Sequence, residues 1–278
     1  MKIALTGARG SVGQSILKHC NEQGHYVFEI NRRDDPETDN PLSEHRRAEG
    51  TDYEAILKAF EGADAVIHVA AVPNPGKVDD ATTHNSNVSS SYVALRAAAE
   101  LGIKRFSLAS SVNALGLEFS RFSTFDYFPL DDVHPTYAED PYSMSKYEAE
   151  KQADGLCRRY DFLRVASFRM HEVSPKKDLK REPKVDQMVL WSYSDPEEVA
   201  KACLLGVTVE KDWKKGHEVF YCVSPENTHE QTRGEKIDNE TLAQRYYPNV
   251  PVKKDLNKYG FFDTKKIEDF LGWKHAQK

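Results

Sequence analysis

The segment "YSMSK" sets Tyr142 and Lys146 four residues apart at the start of a stretch that reads as helix. At that spacing the two side chains leave one face of the helix about a turn apart. A tyrosine on its own, with a pKa of about 10, is a poor acid or base at neutral pH. A nearby ammonium stabilises the phenolate and brings it toward the working range of a proton-transfer group. Upstream, "LASSVNALG" ends an apolar run with Ser110 and Ser111. A serine hydroxyl at the carboxyl end of a sheet strand can hold the substrate oxygen that Tyr142 protonates or deprotonates.

The stretch "LTGARGSVGQS" supplies a partner for such chemistry, with glycines at Gly7, Gly10 and Gly13 where a strand becomes a helix. Bare backbone N–H groups and the positive end of a helix dipole then converge on one spot, which suits a pyrophosphate. Gly7 permits the tight turn, Gly10 the approach of the phosphates, and Gly13 the close packing of helix on strand. Arg9 and Val12 lie between them. The spacing is G-x-x-G-x-x-G rather than G-x-G-x-x-G, and glycine turns also end strands that bind nothing. The second strand ends in "FEINRRDD", so Asn31, Arg32 and Arg33 stand where an acidic residue would take the ribose 2′-hydroxyl of NAD. Guanidinium groups suit a 2′-phosphate, which points to NADP with NAD the alternative. The competing reading is a basic loop balanced by Asp34 and Asp35.

Around these residues strands alternate with helices. "KIALTG" is followed by a helix over residues 11–23, the strand "HYVFEI", a helix at 53–60 and the strand "DAVIHVA" at 64–70. A helix over 88–101, "RFSLAS", a helix over 142–160 and a strand at 162–168 complete the series. The pattern predicts a doubly wound parallel α/β sheet of the Rossmann type. We divide the chain into a dinucleotide-binding domain, residues 1–170, and a small substrate-binding lobe, residues 171–278, that begins with the charged run "SPKKDLKREPK".

The 278 residues carry a net charge of -6 with both signs dispersed, which argues against nucleic acid or an anionic membrane as partner. Four separated cysteines read as reduced and buried. A strand beginning at Lys2 leaves no room for a leader, and no apolar run reaches the ~20 residues of a membrane span, so the expected location is the cytoplasm. Ten histidines show neither H-x-H nor H-E-x-x-H spacing, and no metal is expected. His68, on an apolar strand, reads as a core residue. His171 lies at a sheet end, where substrate contact and a structural role are both open. "FSRFSTFDYF" could line a pocket or anchor its own loop.

With glycine turn, serine and Tyr-x-x-x-Lys in this order, the chain resembles the extended short-chain dehydrogenases/reductases, the NAD-dependent epimerase/dehydratase group. "TGARGSVG", "HVAA", Asn87, "FPLDDVHPTYAEDPYSMSK", "LWSYSDPEEVAKA" and "FDTKKIEDFLGW" carry the resemblance. It implies Ser111, Tyr142, Lys146 and Asn87 as the catalytic set. It also implies cofactor contacts from Ala70, Ala71, Lys146 and Arg169, and substrate contacts from Ser111, Val112, Asn113 and His171. Val112 and Asn113 replace the acidic pair of the 4,6-dehydratases, which points away from dehydration. In length and in "ASSVNALG" the chain is similar to uronate dehydrogenases, although the position of their carboxylate-binding arginine falls on Asp186, with Lys180, Arg181 and Lys184 nearby. The expected activity is hydride transfer between nicotinamide and a small polar, sugar-like carbonyl or alcohol. A nucleotide-sugar epimerase with tightly held NAD is the alternative, and a non-catalytic cofactor sensor a further one. The helices at 88–101 and 142–160 form a dimer bundle in relatives of this kind; their simpler role is to cover the sheet.

Overall fold

A computed structural model describes residues 1–34, 40–210, 213 and 215–276. Strands β1 (Lys2–Thr6), β2 (Tyr26–Asn31), β3 (Ser43–Arg47), β4 (Ala65–His68), β5 (Arg105–Ser111), β6 (Arg164–Met170) and β7 (Gly216–Cys222) form one sheet in the order β3-β2-β1-β4-β5-β6-β7. Every neighbouring pair is parallel, with Ile3 opposite Val27 on one side and Ala65 on the other. Parallel pairing requires crossovers, and helices supply most of them: α1 (Ser11–Glu22), α2 (Tyr53–Phe60), α3 (Asp80–Glu100), α4 (Pro141–Arg159), α5 (Pro183–Met188) and α6 (Pro196–Thr208). Four short helices follow, α7 (His229–Arg233), α8 (Asn239–Tyr246), α9 (Leu256–Tyr259) and α10 (Lys265–Leu271).

Alternation along the strands builds two cores. Ile3, Leu5 and Val27 join the layer under α1 and α6, while Ala4, Phe28 and Val66 join the layer under α2, α3 and α4. A third cluster, around Leu115, Phe128, Trp191 and Phe261, belongs to the lobe. Asp140 caps α4 by accepting the Ser143 N–H at 2.9 Å, with Pro141 at the first helical position, so Tyr142 enters the helix within its first turn.

The expected doubly wound sheet is present, with three differences. The segment "SEHRR" forms an edge strand, β3, which makes the serine-bearing strand the fifth in chain order. Helix α3 begins at Asp80 rather than Val88, capped by Asp79. The expected boundary at residue 170 falls between β6 and β7, so α6 and β7, from the second part of the chain, complete the sheet.

Candidate active site

The glycine turn has the geometry a phosphate-binding loop needs. Gly7 sits at φ 71°, and a Cβ there would lie 2.8 Å from the Ala70 nitrogen. A Cβ on Gly13 would lie 2.1 Å from the Gly7 carbonyl, which accounts for glycine where α1 packs on the turn. Gly10 is different: a Cβ would meet only the Gly7 carbonyl, at 3.4 Å, so its bare side faces open space. Gly10 caps α1 without a side chain, leaving the first helical N–H groups for an anion, and Ser11 and Val12 line the adjoining cavity. These residues fit a dinucleotide.

At the end of β2 the Asn31 carbonyl accepts the Arg9 backbone N–H at 3.1 Å, joining the turn to the second strand. The Asn31 amide nitrogen is buried and has no partner among the described residues. Arg32 and Arg33 are exposed. Asp34 turns to Arg47, at 3.0 Å, rather than to either arginine, and Asp35 lies outside the described residues.

At the carboxyl ends of β4, β5 and β6 a cavity of about 540 Å³ is lined by Ser11, Ser111, Phe119, Tyr142, Lys146 and His171, among others. Ser111 and Tyr142 line this cavity together, and the Ser111 hydroxyl caps the turn at Val112–Leu115 by accepting the Asn113 N–H at 3.1 Å. The Lys146 ammonium stands 5.7 Å from the Tyr142 ring centroid and donates to the Ala109 carbonyl at 2.9 Å. Burial pushes the phenol up to about 12, against the smaller opposing pull of the Ser111 hydroxyl. Burial also pulls the ammonium down to about 8, partly offset by Glu150. Phe119 packs edge-on against Tyr142, at 5.7 Å, while Phe125 and Phe128 enter the lobe core, so the aromatic segment both lines the cavity and anchors its loop.

Other expected residues stand elsewhere. Arg169 does not reach the glycine turn: it is buried against Glu150, at 3.0 and 2.8 Å, and the Tyr221 hydroxyl, at 2.9 Å. Asn87 touches neither Tyr142 nor Lys146. Its carbonyl accepts the Val72 N–H at 2.7 Å, and its amide donates to the Val72 carbonyl and to Ser145, so it holds the loop after β4 against α3 and α4. Ala71 lines the cavity, whereas Ala70 packs on Gly7. His171 lines the cavity, but Nδ1 accepts the Glu172 N–H at 2.7 Å and Nε2 donates to the Val189 carbonyl at 3.0 Å. Burial holds its pKa well below the ordinary value, so it is a neutral wall rather than an acid or base. His68 is a core residue against Thr6, pulled down to about 3 by burial.

Sequence reading missed Glu118. It lines the cavity with Val112 and Asn113, its pKa raised by burial and by Glu172. Arg181, whose side chain is 4% exposed, donates to Glu172 at 2.7 Å and Asp186 at 3.3 Å. Asp186, fully buried, also binds Thr228, Thr232 and Arg233, so the position that carries a substrate-binding arginine in the resemblance is here a structural hub. Charged residues that face each other only after folding leave no spacing to read.

Two other features carry no comparable chemistry. A larger groove, about 960 Å³, lies at the amino ends of the strands among Met1, His19, Asp64 and Arg105, away from the glycine turn and Tyr142. Ser167, His217 and Asp154 form a chain at 2.8 and 2.7 Å that has the order of a hydrolytic triad. Ser167 is wholly buried in β6, where no substrate reaches it. Among the described residues no group of three or more potential ligands could hold a metal, and no helix is long and apolar enough to cross a membrane.

A Rossmann-type sheet with a glycine turn at its switch point defines a dinucleotide-binding protein. The model of the NAD dependent epimerase/dehydratase family matches residues 3–208, and the chain belongs to that family. It is 28% identical over 238 residues to an NAD-dependent glucose-6-phosphate dehydrogenase of Haloferax volcanii, covering 80% of this chain and 84% of that protein. A short-chain dehydrogenase/reductase superfamily protein from Agrobacterium tumefaciens, solved with bound NAD, superposes with a TM-score of 0.73 at 17% identity over 100% of this chain and 93% of the other. A mutated uronate dehydrogenase superposes with a TM-score of 0.66 at 20% identity, covering 100% and 87%. The relatives are NAD(P)-dependent dehydrogenases and epimerases, and this chain is an enzyme of that type.

Proposed function

We propose that the protein is an NADP-preferring oxidoreductase that moves a hydride between the nicotinamide and a carbonyl or alcohol of a small, sugar-like substrate. The observation that carries this reading is the meeting of Ser111, Tyr142 and Lys146 on one wall of a cavity that opens beside the glycine turn. Gly7, Gly10, Ser11 and Val12 would hold the pyrophosphate, and Arg9, Arg32 and Arg33 a 2′-phosphate. When bound, the dinucleotide supplies the hydride acceptor or donor.

The chain's own residues handle the oxygen and its proton. Ser111 orients the substrate hydroxyl, and Tyr142, as the phenolate that the Lys146 charge supports, takes the hydroxyl proton and becomes a phenol as the C–H bond breaks; reduction runs the same steps backwards. Glu118 and Arg181 at the far end offer an acceptor and a donor for a polyhydroxylated substrate, and the sugar dehydrogenase relative agrees with that class. Four free cysteines fit a reducing cytoplasm. The outer faces of α3 and α4, with Tyr92 and Met144 exposed, are the proposed homodimer contact.

The test is a fluorescence titration with NADPH and NADH, followed by a turnover screen of aldoses, ketones and lactones with wild type and Tyr142→Phe. Exchangeable NADPH binding, with turnover abolished in Tyr142→Phe and cofactor affinity retained, is expected. Full activity in that variant would overturn the mechanism, and NAD retained through purification would favour the epimerase.

A further inference from the structure

Tyr142, Lys146 and Glu150 recur every fourth residue on one face of α4. Glu150 is 1% exposed and forms a buried ion pair with Arg169. Its Oε1 accepts from the Ser110 hydroxyl at 2.6 Å and from Arg169 Nε at 3.0 Å, and its Oε2 accepts from the other Arg169 arm at 2.8 Å. The remaining arm of Arg169 donates to the Tyr221 hydroxyl at 2.9 Å, which in turn donates to the Asp131 carbonyl at 3.1 Å. Three elements, α4, β5 and β6, thus meet at one carboxylate beneath the site, and β7 supports them through Arg169.

A buried ion pair is weak evidence of stability, because desolvation offsets most of its attraction and an apolar replacement often serves the fold as well. What marks this pair is its neighbour. From α4, Lys146 is faced by Tyr142 and Glu150; from β4, by His68, which is neutral; from β5, by the Ala109 carbonyl. Arg169 on β6 binds Glu150, and Tyr221 on β7 binds Arg169. Glu150 is therefore the carboxylate that acts on the buried ammonium, and the guanidinium fork keeps it oriented.

Resting on the Tyr142–Lys146 reading above, we propose that Glu150 is a positioning residue for the reaction: clamped by Arg169 and Ser110, its charge holds the proton on Lys146 and so sets the pH range in which Tyr142 can work.

The test compares wild type, Glu150→Gln and the charge-neutral double variant Glu150→Gln/Arg169→Met over pH 6 to about 10. The double variant avoids a stranded guanidinium and carries the test if the single one does not fold. Two profiles are read, kcat/KM and the Kd for NADPH by fluorescence, so the answer does not wait on the best substrate. The alkaline limb that marks loss of the Lys146 proton should move to lower pH by about one unit in both profiles, a tenfold change in proton affinity, with Kd at pH 6.5 within about twofold of wild type. A lower amplitude with an unmoved limb, or a limb displaced to higher pH, would leave Glu150 a structural prop and overturn the assignment. Turnover that survives Tyr142→Phe would instead remove the parent reading, and the assignment with it.

Discussion

The Ser110 hydroxyl donates to Glu150 at 2.6 Å, while the next residue, Ser111, is the one beside the Tyr142 phenol. Adjacent strand residues face opposite ways, so Ser110 turns to the network beneath the site and Ser111 to the phenol. Ser111→Ala should lower kcat about 10²–10³-fold at unchanged NADPH affinity. Ser110→Ala should instead cost about 1.5–3 kcal/mol of stability, the scale of a hydrogen bond to a charged group, and leave kcat within about tenfold. Steady-state kinetics and urea unfolding of both variants separate the roles.

Arg32 is exposed where the 2′-substituent of the ribose would sit. Arg32→Ala should weaken NADPH binding about tenfold and NADH binding less than twofold, a difference of at least about 1 kcal/mol. Equal losses, read by fluorescence titration, would remove the case for a 2′-phosphate pocket.

Gly10 and Gly13 should respond in opposite ways to alanine. In Gly13→Ala the new methyl meets the Gly7 carbonyl, and the expected cost to the fold is about 1–3 kcal/mol or more. Gly10→Ala has room in the free protein and should fold normally but bind dinucleotide at least about tenfold more weakly, since the methyl occupies the open approach. Thermal unfolding and NADPH titration distinguish them.

The His217 bond holds the Asp154 carboxyl at about 2, below its ordinary 3.8. A carboxyl lowered by folding stabilises fully above its unfolded pKa and ceases to do so as pH falls through the folded value. Asp154→Asn should therefore lower Tm at pH 7, and the gap from wild type should close between about pH 4 and pH 2. A gap independent of pH would show that the carboxylate charge contributes nothing. Asp154 is partly exposed, so the effect should be small and weaken in high salt.

The elements that carry the site were legible because each has a local cause. The glycine turn needs a positive φ and a close approach; Tyr142 and Lys146 need only one helical turn; α2 was bounded at Tyr53 and Phe60 by its apolar spacing. Strand β3 escaped because "SEHRR" is polar and lies at the sheet edge, held by its ladder to β2 rather than by an apolar face. The start of α3 was hidden in the polar run "DATTHNSN", where only the Asp79 cap marks it. The hydrogen bonds of Arg169 and His171 escaped for another reason: their partners, Glu150 and Val189, are 19 and 18 residues away in sequence and meet them only through the fold. The stripe of Tyr142, Lys146 and Glu150 could have been read from its four-residue repeat.

Strand β7 pairs with β6 along its whole length, yet Gly216 follows Met170 by a long excursion through the lobe. During synthesis the nucleotide-binding half therefore leaves the ribosome with an open β6 edge, the kind of surface that invites pairing with a neighbouring chain. Closure waits until Cys222 has emerged, and α6, which covers the same face, comes just before it. A cut or fusion at residue 170 would therefore part β6 from the strand that completes the sheet, and a lobe exchanged at that point would have to bring its own β7.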